Sequence, residues 1–303
     1  MKQLSIFIIL IVLIGSLLGT EAITGQQRIE LTKDLDNSTS MSVLESQAVR
    51  DARYRAVFRK AVQLLPCSLT DKRKEILGSY LDGKSEDFVL TYALDMRDMG
   101  SKSVEFIFYV SVNEKALKQR LKNLGTYFTT KYKVQYSLQT SGISSDIWQD
   151  ILRLENLSGL KRGDVQSPLL RLQYDKDNER WSGIIQTTDK YRSEKALTLS
   201  ALWEKIWSFY FMLPETQARF LETLFVRVKW WTTSTGLQTF NENLNSWTSV
   251  LDEFTLKHLK MTPKGIQGQW KMKTMNINGL KQHLEGFLNN RGVSLSYSTD
   301  PFK

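Results

Sequence analysis

The sequence predicts an α+β protein made of several small domains. Segments with apolar residues at helical spacing, such as Leu44, Ala48, Ala52, Phe58, Val62 and Leu65, stand between segments of period two, such as Val104, Phe106, Phe108, Val110 and Val112. A length of 303 residues fits two or three domains, and 41% apolar with 24% charged residues is the composition of packed cores rather than of disorder. All eight tryptophans lie from Trp148 onward, which sets the first third of the chain apart from the rest.

The first elements begin after an apolar leader. Lys2 supplies a positive end, Ile6 to Leu18 an apolar run and Thr20-Glu21-Ala22 a small-residue exit, the pattern of a secretory signal peptide over residues 1–22 cleaved near Ala22. The run Leu4 to Gly19 is shorter than the roughly 20 residues that cross a hydrocarbon core, and no later segment is apolar for that long. A soluble or peripheral protein in the periplasm, or otherwise exported, is expected. Cys67 is the only cysteine, so no internal disulfide can form, and its place after Leu65-Pro66 predicts a small buried hydrophobe.

An N-terminal α+β domain is expected over residues 23–128. It opens with a strand at Gln27 to Thr32 and the polar run Asp36 to Ser40. Ser42 with Glu45 three residues on forms a capping box for a long helix that Pro66 ends. A second helix runs from Thr70 to Leu81 and stops at Asp82-Gly83. Two strands follow, Asp87 to Met96 and Ser103 to Val112, and then a helix from Asn113 to Gly125.

The remainder reads as an internal duplication with a period of about 90 residues. Residues 129–214 give a strand at Lys131 to Thr140, a helix through Ile147, Trp148, Ile151 and Leu154, and a hairpin of Leu169 to Tyr174 with Trp181 to Thr187. A helix with Leu199, Leu202, Trp203 and Ile206 and a closing strand at Ser208 to Leu213 complete this copy. Residues 215–303 repeat the order: strand Phe225 to Thr232, helix through Phe240, Leu244, Trp247 and Leu251, strands Phe254 to Met261 and Ile266 to Thr274, a helix with Leu280, Leu284 and Phe287, and a strand at Val293 to Ser298. Each copy is βαββαβ, the ferredoxin-like order, in which helices cover one face of an antiparallel sheet.

No local pattern marks catalysis. His258 and His283 fall on different elements without a carboxylate or cysteine at ligand spacing, so no metal and no cofactor are expected. Asp175, Asp177 and Glu179 cluster with Lys176 and Arg180 and read as a solvated turn, since the glycine and distal glutamate of a calcium loop are missing. Asn37-Ser38-Thr39 and Asn156-Leu157-Ser158 match glycosylation acceptors.

Charge gives the better lead. The chain carries +9, and residues 224–303 hold ten Lys or Arg against five Asp or Glu. Alternation puts Val226, Val228 and Trp230 on one face of a strand and Arg227, Lys229 and Trp231 on the other, while Lys271 and Lys273 share the matching face of the strand from Ile266. Arg227, Lys229, Trp231, Lys271 and Lys273 are therefore the candidate partner-binding face. On an exported protein such a face meets anionic polymers, lipid head groups or acidic proteins rather than nucleic acid.

The spacing Glu45, Ala48, Ala52, Ala56, Ala61-Val62, the strand ending Phe106-Ile107-Phe108-Tyr109-Val110, and the helix with Ala116-Leu117 and Leu121 resemble the N-terminal domain of flagellar assembly protein T and related exported bacterial proteins. The resemblance covers residues 27–125 and implies a periplasmic, non-enzymatic part of an envelope machine. The expected function is an exported interaction or assembly protein that binds envelope proteins. Its alternatives are a cell-wall polymer hydrolase with carboxylates assembled in space, or a binding module for anionic envelope surfaces.

Overall fold

The computed structural model describes residues 26–35, 39–164, 166–289 and 291–301. The expected signal peptide, and Asn37-Ser38 of the first glycosylation motif, lie outside them. Among the described residues the protein is a mixed α+β chain with three sheets. It divides into two compact units, one drawn from Met1–Lys60 with Tyr80–Asn113 and the other from Ala61–Ser79 with Glu114–Lys303.

The first unit holds β1 (Gln26–Asp34), most of α1 (Met41–Leu64), the end of α2 (Asp71–Asp82), β2 (Val89–Met99) and β3 (Ser103–Val112), with the strands in antiparallel order β1-β3-β2. The buried stripe of α1 runs through Leu44, Ala48, Ala52 and Ala56, whereas Phe58 stands half-buried. Small side chains every fourth residue keep this face of the helix flat, and Phe106 and Phe108 of β3 are fully buried. Polar ties fix the approach: Lys33 pairs with Asp51 at 2.5 Å, Gln27 Nε2 donates to the Ala56 carbonyl at 2.9 Å, and Arg97 meets Glu45 at 3.3 Å.

The second unit begins at Ala61 and takes in Cys67, which is exposed, not the buried hydrophobe expected. After Asn113 come α3 (Glu114–Asn123) and α4 (Thr126–Thr129), joined by Gly125. The sequence assigns α3 to the N-terminal domain, but the division falls before it. Lys118 and Lys122 of this helix pair with Asp252, and Arg120 pairs with Glu204, so its polar side chains are committed to residues far downstream.

Next stand β4 (Val134–Ser141), α5 (Ser145–Ser158), β5 (Leu160–Arg162), β6 (Leu169–Asp175), β7 (Arg180–Gln186), β8 (Tyr191–Ala196), α6 (Leu199–Met212) and α7 (Pro214–Phe220). The expected βαββαβ order is replaced here by a five-stranded mixed sheet, β5-β4-β6-β7-β8, with β4 parallel to β5 and β6. The closing strand expected at Ser208 to Leu213 is helix. Trp203, Trp207 and Phe211 recur every fourth residue and are all fully buried, so one continuous face carries α6 to Met212. Pro214 then opens α7 at its first position, where its missing N–H is not needed.

The last part follows its expected order: β9 (Glu222–Trp231), α8 (Ser234–Ser246), β10 (Glu253–Thr262), β11 (Gly265–Thr274), α9 (Ile277–Leu288) and β12 (Ser294–Ser298). The strands lie β10-β11-β9-β12, every pair antiparallel. Phe240 and Leu244 of α8 and Leu280, Leu284 and Leu288 of α9 share a core with Val226, Val228, Trp231, Trp270 and Met272 of the sheet, leaving the sheet's other face open.

Candidate functional site

The open face of this last sheet is built by alternation. Thr223, Phe225, Arg227 and Lys229 of β9 stand between the buried Leu224, Val226 and Val228, and register brings Lys271 opposite Phe225 and Gln269 opposite Arg227. With the Gln269 amide oxygen turned towards it, Arg227 donates through Nε and Nη2 at 3.1 Å. His258 and Lys260 of β10 and Ser294, Ser296 and Ser298 of β12 extend the face to both sides. Lys273 is held by Glu253 at 2.7 Å, and Lys229, Lys260 and Lys271 add further positive charge to the face beside Arg227.

Trp231 does not belong to this face. It is 4% exposed and packs in the core against Phe240, whereas Trp230 is 44% exposed. Between Val228 and Trp231 the strand carries one residue more than β11 does between Ile266 and Gly268, and Trp230 adopts φ 70°. This β-bulge advances the alternation by one, and the aromatic residue of the open face is the half-buried Phe225. Trp231→Ala should therefore destabilise the protein by about 3–5 kcal/mol, and Trp230→Ala by less than about 1. Urea unfolding of the two variants checks the order, which strict alternation would reverse.

A second constellation went unread in the sequence. Asp252, just before β10, has no exposed side-chain surface, and its Oδ1 lies 3.0 Å from Lys118 Nζ and 2.8 Å from Lys122 Nζ. Its Oδ2 accepts from the Tyr127 hydroxyl and the Met275 amide, each at 3.1 Å. Lys118 also donates to the carbonyls of Thr248 at 2.8 Å and Leu251 at 3.0 Å. Burial pulls the Lys118 ammonium down to about 8 despite the facing carboxylate. Burial works against ionising Asp252 too, but the two ammonium groups prevail and hold it below the usual carboxylate range. Burial, with Asp252 beside it, pushes the Tyr127 phenol up. Lys118 and Lys122 sit one helical turn apart next to Leu117 and Leu121, and nothing in their spacing separates them from a solvated lysine pair.

The other buried carboxylate, Glu155, is equally engaged. It accepts from the Tyr136 hydroxyl at 2.6 Å and pairs with Arg162 at 2.7 Å, while Arg162 stacks over Trp148. His283 sits on α9 with Nδ1 3.1 Å from the Gly279 carbonyl, and Asp175 accepts from the amides of Asp177 and Asn178 in its own turn.

Each sheet also ends on a well-exposed edge strand: β2, β8 and β10. In β2 the large apolar residues Leu90, Tyr92, Leu94, Met96 and Met99 are exposed. Register shifts between Val89 and Thr91 and between Leu94 and Met96 break its ladder. Tyr92, Leu94, Arg97 and Met99 pair with Val110, Phe108, Phe106 and Val104, so all four stand on the side of the sheet that those buried residues share. No family model matches the chain, and no curated protein matches it.

Proposed function

We propose that this chain is an exported, non-enzymatic interaction protein of a bacterial envelope assembly, with a ferredoxin-like C-terminal module. The observation that carries the reading is β2, an edge strand with a row of exposed apolar side chains. Exposed edges invite indiscriminate pairing, and bulges are a means of blunting them. Two bulges interrupt the β2 ladder while its apolar row stays open, a combination suited to a selected partner that packs on side chains. The two ammonium groups that hold Asp252 below the usual carboxylate range favour binding over hydrolysis at that carboxyl, because a general acid needs one held above its ordinary range. The resemblance to flagellar assembly protein T directs the search for partners to exported envelope proteins.

The basic face supports a second reading, a module for anionic surfaces. One experiment separates the two. Leu94→Lys with Met99→Lys, and Lys229→Glu with Lys271→Glu, are compared with the parent chain for proteins cross-linked in native envelope and for retention on anionic vesicles at several salt concentrations. The edge variant, folded by circular dichroism, is expected to lose the parent's cross-linked partners. Retention of every partner by that variant, with loss of salt-sensitive vesicle binding by the face variant, overturns the docking reading in favour of the second.

A further inference from the structure

Beside the Asp252 cluster lies a cleft of about 440 Å³, lined by Lys115, Lys118, Gln119 and Lys122 of α3 and by residues including Asn245, Thr248, Asp252 and Thr255. Its charges do not balance. Lys118 and Lys122, 7% and 9% exposed, share the single carboxylate of Asp252, and the other lining carboxylate, Glu253, is held by Lys273 at 2.7 Å. Buried charges are normally matched one for one. Lys118 donates to two carbonyls besides its ion pair, whereas Lys122 makes one ion pair among the described residues and lies 5.4 Å over the Tyr127 ring, which leaves it donors for a further acceptor. Lys115 stands exposed one turn before Gln119 and forms no ion pair among the described residues.

We infer that this cleft is a binding site for a small oxyanion of the phosphate class, with Lys122 and Lys115 as its charged contacts and Lys118 and Asp252 as the groups that position Lys122. The spare positive charge attracts the anion, lysine ammonium groups are point donors suited to phosphate oxygens, and the cleft volume admits a phosphate and its waters. The anion supplies the counter-charge that the cluster lacks. The site is independent of sheet-edge docking.

Binding is coupled to protons. Asp252, Lys122 and Tyr127 face Lys118 directly; Lys115 and Glu253 line the same cleft, and Glu114 takes the Thr248 hydroxyl. An arriving anion favours the charged form of Lys118, so near pH 8, where that group is partly deprotonated, binding takes up protons.

Titration calorimetry of the full chain with inorganic phosphate, at constant ionic strength set with chloride, tests the site. The expected result is saturable binding that Lys122→Gln weakens about tenfold or more and that Lys115→Gln also weakens. With sulfate, an oxyanion that does not itself titrate in this range, the binding enthalpy should depend on the buffer's ionisation heat at pH 8 and much less so at pH 6. Lys115→Gln is a surface change and keeps the test valid if the Lys122 variant fails to fold. A parallel arm uses vesicles containing phosphatidic acid: binding there that Lys115→Gln weakens alike assigns a lipid headgroup, and binding of the free anion alone assigns a soluble ligand. No binding in either arm, or binding that neither substitution changes, overturns the proposal.

Discussion

Asp252→Ala is expected to destabilise the second unit by about 3–5 kcal/mol, because it leaves two buried ammonium groups facing each other with no carboxylate between them. It also removes the acceptor of the Tyr127 hydroxyl and the Met275 amide. A lower urea midpoint with an unchanged slope is the expected measurement. Replacing all three charges together, as Asp252→Leu with Lys118→Met and Lys122→Met, should recover much of the loss, since the cost comes from uncompensated charge rather than lost volume. A triple variant no more stable than Asp252→Ala would show that packing dominates.

The same cluster fixes a pH dependence. The Lys118 ammonium has its pKa lowered on folding, so between about 8 and its unfolded value near 10.4 the unfolded chain binds more protons. Stability should rise with pH from about 8, and in Lys118→Met that rise should be absent. Above about 10 the raised phenols of Tyr127, Tyr136 and Tyr210 act in the other direction, because the unfolded chain loses those protons first. Asp252, with its pKa depressed, contributes stability that is present above about 4 and lost as pH falls through its folded value.

Gly125→Ala should be nearly as damaging, at about 2–5 kcal/mol. Gly125 adopts φ 81° between α3 and α4, a backbone region that side chains resist, and a Cβ there would stand 2.1 Å from Cε2 of Phe211. Phe211 stacks on Phe128, which stacks on Phe220, all three rings being buried, so the ring has nowhere to retreat. Gly286→Ala, on α9 with open space around its Cβ position, is the control and should be neutral or slightly stabilising. Thermal unfolding of the pair gives the comparison.

What was legible in the sequence follows from how each signal arises. The alternation of β3, the cap and stop of α3 and the element order from β9 to β12 each write a local period into consecutive residues, whereas the capping box read at Ser42 falls inside α1, which begins at Met41. The run Ser208 to Met212 defeated that reading, because aromatic residues favour strands locally and only the four-residue spacing back to Trp203 reveals the helix. The short β5 and the exposed β8 carry little apolar pattern to read. On the candidate face, Arg227, Lys229, Lys271 and Lys273 followed simple alternation, while Trp231 did not, since a single inserted residue with positive φ inverts every side chain after it. The Asp252 cluster was invisible because its members are separated by up to 134 residues and lysines give no sign of burial.

The interleaving of the two units along the chain sets an order of completion during synthesis. Every residue of the first unit has emerged by Asn113, whereas Ala61–Ser79, made earlier, belongs to a unit that is finished only later. Arg73 in that segment donates to the Thr129 hydroxyl at 2.8 Å and to the Asn156 carbonyl at 3.0 Å, and the second partner follows it by 83 residues. Until α5 has been made, this guanidinium has no helix end to cap. A growing chain thus closes its N-terminal sheet while Ala61–Ser79 still waits for its partners, and a fragment cut at Asn113 keeps the first unit whole but leaves Ala61–Ser79 without the rest of its own unit.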